Sequence, residues 1–387
     1  MNRNGGAAAA HIPELDGLRG VAVLLVLAFH FAVYFLEING PLKNLRALFI
    51  PGWTGVDLFF ILSGCLITGI LLDEKGTSGY FRRFYIRRGL RIFPVYYLML
   101  LIAFTVGRTW LLPPEGVAPV ATLAYLTNFS NWLALPQTEV PALVHFWSLA
   151  VEEQFYLCWP LAVFWLDRKW LLRLLGCVIV IAPLVRFFIL ASPGDFEAMK
   201  RLASALTPAR ADGLAYGALV AIVLRDPVVC ARLMRHSVAS IAAVGGVLLV
   251  WFGLKSRFHL ESAATLAALY SMLGIGYGLI VLQAVRRTGE SDAMQRVLRM
   301  RVLRQAGRYS YGAYVFHLPV LAMTEGLFLK LSPELRELAV IPWFLGTFAI
   351  TFGLAWLSWR FIESPILKKK DVWAPAPSRT HAIRQAA

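Results

Sequence analysis

The chain has 387 residues, 58% of them hydrophobic and 16% charged, with 12 tryptophans and a mean hydropathy of +0.62, which is more apolar side chain than a water-soluble domain of this length needs for its core. The net charge of +15 suggests nucleic acid only until its distribution is read, because the basic residues fall in short segments between apolar runs, a membrane-topology pattern. The four cysteines, Cys65, Cys158, Cys177 and Cys230, show no C-x-x-C spacing, so neither a disulfide framework nor a metal site is expected.

The apolar runs predict an all-α, polytopic membrane helix bundle of about ten transmembrane helices, at about 17–37, 54–73, 92–112, 144–166, 171–191, 211–225, 238–254, 263–285, 309–330 and 339–360. Several approach the roughly 20 apolar residues that a helix needs to cross a bilayer. A β-barrel would instead alternate apolar and polar residues in segments of about ten. The first run has no basic residues just before it, no small-residue cleavage site after it and a histidine inside it, so it reads as a retained helix rather than a signal peptide. With the N-terminus inside, 27 of the 38 Lys and Arg fall on the non-translocated side, which predicts that both termini are cytoplasmic. No internal repeat of the transporter kind is visible.

Three regions are expected: a cytoplasmic N-terminal segment over residues 1–14, a transmembrane domain over 15–365, and a basic tail over 366–387. The tail, with Lys368, Lys369, Lys370, Pro375 and Pro377, reads as disordered and resting on anionic headgroups. The longest external connection, about residues 112–143, is too short to be a domain. The functional site is therefore expected among the helices and their loops.

Ionisable residues inside a span are costly, and each one raises a functional question. The first span opens Leu15-Asp16-Gly17-Leu18-Arg19-Gly20 and carries His30. Asp16 and Arg19 share a helical face and can pair. His30 follows Arg19 by about 16 Å of helix, well into the bilayer. An apolar setting favours neutral imidazole, the form that can accept a proton as a general base. A lone histidine there serves equally well as an interhelical hydrogen-bond partner.

The second span begins Gly52-Trp53-Thr54-Gly55-Val56-Asp57-Leu58-Phe59-Phe60 and continues to Ser63-Gly64; its small residues permit close packing. A basic stretch follows, Phe81-Arg82-Arg83 to Arg91-Ile92-Phe93-Pro94. Positive-inside topology accounts for such a cluster, yet Arg88 and Arg91 share a face at the mouth of a span, a spacing suited to gripping phosphates. The fourth span starts His145-Phe146-Trp147-Ser148-Leu149-Ala150-Val151-Glu152-Glu153-Gln154-Phe155-Tyr156. Adjacent glutamates point about 100° apart, so one of them faces any given site; it either packs the bundle or orients His30. Further on, Arg210 and Asp212 are expected to pair with each other, and His317, two residues before Pro319, to bond the backbone carbonyl that the proline frees.

Taken in this order, the Leu15–Gly20 run with His30, the Gly55–Phe60 run, Arg88-x-x-Arg91 and Ser148-Leu-x-Val-Glu152-x-x-Phe-Tyr156 resemble the acyltransferase 3 family of bacterial integral membrane O-acyltransferases, over Leu15 to about Pro365. The resemblance implies a ten-span core in the bacterial inner membrane and transfer of an acyl group, acetyl by default, from cytoplasmic acyl-CoA to a hydroxyl of a cell-envelope or exported glycan, lipid-linked or free. It implies that His30 is essential, and that Arg88 and Arg91 hold the donor. Some members carry an esterase-like domain after the last span; none is expected here.

The expected mechanism has His30 as base or acyl carrier, with Glu152 or Asp16 positioning the imidazole. Arg19, Arg88 and Arg91 grip the phosphates of acetyl-CoA or another acyl-CoA, and Ser148 and Tyr156 stand with them in the donor site. No permanently bound cofactor, metal or nucleic-acid partner is expected; the partners are donor, acceptor and membrane lipid. The competing class is a transporter or flippase using the intramembrane His, Glu and Arg.

Overall fold

The computed structural model describes residues 12–35, 46–113, 116–133, 140–235, 241, 245, 262–285 and 292–375. Among the described residues there is no strand. The principal helices are α1 (Pro13–Phe35), α2 (Gly55–Glu74), α3 (Tyr80–Phe104), α4 (Phe146–Trp165), α5 (Arg168–Leu190) and α6 (Phe196–Ala205). They continue with α7 (Thr207–Val223), α8 (Ala263–Val285), α9 (Arg301–Arg308), α10 (Ser310–Phe328) and α11 (Pro333–Ser358). Five helices among the described residues are long and apolar enough to cross a membrane, or six if a pair bent by 115° after Val223 counts as one span. The others are shorter or less apolar, and the expected span at 238–254 lies outside the described residues apart from two positions. So do residues 1–11 and 376–387.

Small residues set the closest crossings. A Cβ on Gly20 would overlap the Leu303 carbonyl, and one on Gly307 would overlap that of Asp16, so α1 and α9 lie backbone against backbone. Gly64 and Gly217 do the same for α2 and α7. Without a hydrophobic force between helices in lipid, such contact is what packing has to work with. The Leu15–Gly20 run thus owes its glycines to a helix crossing, which leaves its charged residues to face elsewhere.

Two expectations are corrected. The third span, expected at about 92–112, is α3 over residues 80–104, so that the basic stretch from Phe81 to Pro94 is the first half of the helix, which starts after Gly79, a residue in the left-handed region (φ 71°); glycine adopts that turn without steric cost. The tail is ordered at its start: residues Ser364–Lys368 and Lys370–Trp373 form short helices. Arg87 on α3 holds them, donating to Ala374 O at 2.9 Å and to Asp371 at 3.3 Å.

Candidate active site

Two chambers open inside the bundle. The first, about 90 Å³, is lined by Arg19 of α1, Ser63 of α2, Arg88 and Arg91 of α3, Ser148, Glu152, Glu153 and Tyr156 of α4, and Tyr311 and Tyr314 of α10. The second, about 430 Å³, is lined by His30 of α1, Trp53, His145, Trp147, Arg210 of α7, Tyr270 of α8, and Glu197, Lys200 and Arg201 of α6. Val56 and Tyr314 line both and form a wall common to the two.

The first chamber assembles most of the residues expected at the donor site. Glu152 accepts from Ser63 Oγ at 2.7 Å and from Tyr156 Oη at 3.0 Å. The Arg88 guanidinium stacks 5.7 Å from the centroid of the Tyr156 ring, a cation–π contact that holds it without consuming its N–H groups. Ser148 meets the Tyr314 hydroxyl. Neither Arg88 nor Arg91 has an ion-pair partner among the described residues. Three guanidinium groups against two carboxylates, Glu152 and Glu153, leave the chamber with a cationic excess that suits an anion, and Arg suits bidentate binding of phosphate oxygens.

At the wall of the second chamber His30 and His145 pack against a third imidazole, that of the buried His317. The His30 and His317 ring centroids are 4.9 Å apart, and those of His145 and His317 are 4.6 Å apart. Each ring is fixed by one carbonyl. His30 Nδ1–H donates to Val26 O at 2.9 Å, His317 Nδ1–H to Tyr314 O at 2.6 Å, and His145 Nε2–H to Val315 O at 3.2 Å. A carbonyl only accepts, so the opposite nitrogen of each neutral ring carries a lone pair. His145 Nδ1 and His317 Nε2 are buried without a partner. His30 Nε2 is left to serve the chamber that His30 lines.

The positioning expected for His30 is therefore corrected. Glu152 belongs to the arginine chamber, bonded to Ser63 and Tyr156. Asp16 lies about 21 Å of helix from His30 and pairs with Arg19 at 3.8 Å, as its spacing suggested. Backbone carbonyls, rather than a carboxylate, orient the imidazole. The carbonyl freed by Pro319 belongs to Val315, one turn back, and it is His145 that takes it, while His317 bonds Tyr314.

The arginine–aspartate pairing is corrected as well. Arg210 Nη2 donates to Asp57 Oδ1 at 2.7 Å, and Arg186 of α5 bonds Asp212 through Nη1 at 3.0 Å and Nη2 at 2.7 Å. Residues two apart on a helix point to different faces, so neighbours from other helices win. Arg186, fully buried, was missed from sequence, although a lone arginine in an apolar run is itself a signal that a partner must exist. His145 was missed as a member of the site because it sits at the start of a motif read for its glutamates.

A family model described as an acyltransferase domain matches residues 12–360 of the chain. The chain is 30% identical over 384 residues to a peptidoglycan O-acetyltransferase of Listeria monocytogenes, covering 95% of this chain and 58% of that protein. It is 26% identical over 388 residues to an O-acetyltransferase of Staphylococcus aureus, covering 93% of this chain and 58% of that protein. The chain thus spans rather more than half the length of these curated relatives. No solved structure matches it.

Proposed function

Since the chain belongs to the acyltransferase domain family whose model covers residues 12–360, we propose that it is a multi-pass O-acyltransferase of the bacterial inner membrane that moves an acetyl group from acyl-CoA to a hydroxyl of a cell-envelope glycan. The observation that carries this reading is that an arginine chamber and a histidine chamber lie on either side of one wall, at Val56 and Tyr314. Arg19 and His30 mark the two ends on one helix, separated by about 16 Å, a span that an extended pantetheine arm bridges. The donor's phosphates rest on Arg19, Arg88 and Arg91 from the cytoplasmic side, beside Ser148 and Tyr156. The thioester then lies near the shared wall.

The acceptor hydroxyl enters from the histidine chamber. As its oxygen bonds to the acyl carbon, its proton passes to His30 Nε2, the C–S bond breaks, and the proton ends on the departing thiol. His145 and His317 pack the base rather than supply it, and Glu152 holds Ser63 and Tyr156 of the donor wall. The fold reads as ten spans with both termini cytoplasmic; the positive-inside bias supports this. The same similarity to O-acetyltransferases supports acetyl as the group moved.

The test follows label from acetyl-CoA into extractable envelope glycan, in membranes holding the wild-type chain or His30→Ala at matched expression. Incorporation by the wild type and at least a hundredfold less by the variant is expected, given the usual size of general-base effects. Equal incorporation in both would remove His30 from the mechanism.

A further inference from the structure

A separate cleft of about 230 Å³ lies between α1 and α9, lined by Asp16, Arg301, Arg304, Gln305 and Arg308. Resting on the transferase reading above, we infer that this cleft takes the ribose 3′-phosphate of the coenzyme A donor, held by Arg301, Arg304 and Arg308 while the diphosphate lies in the arginine chamber. The three arginines follow at i, i+3 and i+7 and so share one face of α9. None of their side chains has a hydrogen-bond or ion-pair partner among the described residues. Their neighbour Arg299 differs, since it donates to Glu14 at 2.5 Å and has its charge answered within the fold. Like charges one turn apart weaken a helix, and a bound anion reverses that cost.

A positive-inside bias explains why arginines stand at this end of the bundle, but it counts charges and does not require three of them to converge on one cavity. The back of the cleft is rigid, because Gly20 and Gly307 bring α1 and α9 backbone against backbone and so fix the arginine face beside Asp16. Charge and size then select the ligand. Three guanidinium groups against the one carboxylate of the lining leave an excess of two, which matches a phosphate monoester of about −1.5 to −2 at neutral pH better than a singly charged diester. The volume is below the roughly 300 Å³ of sites that enclose a whole small molecule, and it fits a terminal group of a larger one. Position supplies the link to the donor. Asp16 lines the cleft, Arg19 lines the arginine chamber, and the two pair at 3.8 Å, so one ion pair joins the walls of both sites. In coenzyme A a single ribose separates the 3′-phosphate from the diphosphate.

A lipid headgroup that ends in a phosphate monoester, as in phosphatidic acid, presents the same chemistry, and the experiment separates the two sources. The purified full chain in phosphatidylcholine nanodiscs is titrated with tritiated coenzyme A and with tritiated 3′-dephospho-coenzyme A, which differ in that one group. The wild type is expected to bind coenzyme A at least about tenfold more tightly, the scale of one charge-assisted contact. The variant Arg301→Gln/Arg304→Gln/Arg308→Gln is expected to lose this preference by weakening coenzyme A alone, so its binding of the dephospho form reports an intact arginine chamber. Arg301→Gln and Arg308→Gln, at exposed positions, each narrow the ratio and serve where the triple variant fails to fold. Arg91→Lys weakens both ligands and keeps the ratio.

Equal Kd values for the two coenzymes in the wild type overturn the inference while the transferase reading stands. If in addition labelled phosphatidic acid stays on the wild type through detergent washing and is lost from the triple variant, the cleft belongs to a lipid headgroup. A preference kept by the α9 variants and lost in Arg91→Lys places the 3′-phosphate in the arginine chamber and also overturns the inference. Binding of neither coenzyme by the wild type counts against acyl-CoA as the donor and removes this inference with it.

Discussion

Exchange of the two buried ion pairs provides a quantitative test of how α2, α5, α7 and α8 are held together around the site. Asp57 and Arg210 are 3% and 2% exposed, and Arg186 and Asp212 are 0% and 2% exposed, so neutralising one partner leaves a charge in a low-dielectric interior. Each single variant, Asp57→Asn, Arg210→Gln, Arg186→Gln or Asp212→Asn, is expected to destabilise by about 3–5 kcal/mol. The double variants should then part company. Arg210 has Asp57 as its one hydrogen-bond partner among the described residues, with its guanidinium carbon 3.9 Å from the Tyr270 ring centroid and further from those of Phe60 and Trp147, so Asp57→Asn/Arg210→Gln loses chiefly cation–π contacts, the nearest worth about 2 kcal/mol when desolvated.

Arg186 also donates to Ala209 O, Ala267 O and Ser271 Oγ. In Arg186→Gln/Asp212→Asn these charge-assisted bonds are lost, each worth about 1.5–3 kcal/mol, so that double variant stays at least about 2 kcal/mol less stable than the other. The assay is reversible unfolding in mixed detergent micelles followed by circular dichroism, with coupling energies taken from both cycles and from the cross-cycle Arg210/Asp212. Coupling of at least about 2 kcal/mol is expected within each observed pair and little across. A strong Arg210–Asp212 coupling with none between Arg210 and Asp57 would refute the arrangement.

Two further outcomes bear on the chambers. Arg88→Lys and Arg91→Lys keep the charge but lose the planar fork, so each should raise the KM for acetyl-CoA about tenfold in the transfer assay, with kcat at saturating donor little altered; an unchanged donor KM in both would take the arginine chamber out of donor binding. Pro319→Ala restores an N–H that reclaims the Val315 carbonyl now held by His145, and it is expected to lower kcat about tenfold through a misplaced imidazole while thermal stability holds or rises; unchanged kcat would show that the His145 anchor is immaterial to transfer.

How much of this was legible in the chain depends on the range of the interaction involved. Several of the helices were, because a continuous apolar run in lipid can satisfy its backbone only within itself; α8 covers residues 263–285 as its composition required, and α4 and α10 fall within a few residues of expectation, whereas α3 begins about a dozen residues before its expected start at 92. The Asp16–Arg19 pair was legible too, since residues three apart on a helix are neighbours wherever the helix goes. Arg19, Arg88, Arg91, Ser148 and Tyr156, grouped from their motifs, line one chamber, and the charges in those motifs are ones that a lipid-facing helix seldom keeps without use.

What the chain alone did not decide was partnership across helices. Whether Glu152 meets His30 or the Ser63–Tyr156 pair depends on the rotation of α4 about its axis, which is fixed only when α4 packs against α2 and its Ser63. The same holds for Arg210, which turns from Asp212 to Asp57, and for the carbonyl freed by Pro319, which an imidazole from another helix takes. Apolar patterning and local spacing act within one helix and are written in its residues in order; the contacts that build the two chambers form only after helices have packed, and tertiary geometry alone determines which polar groups end within hydrogen-bonding reach.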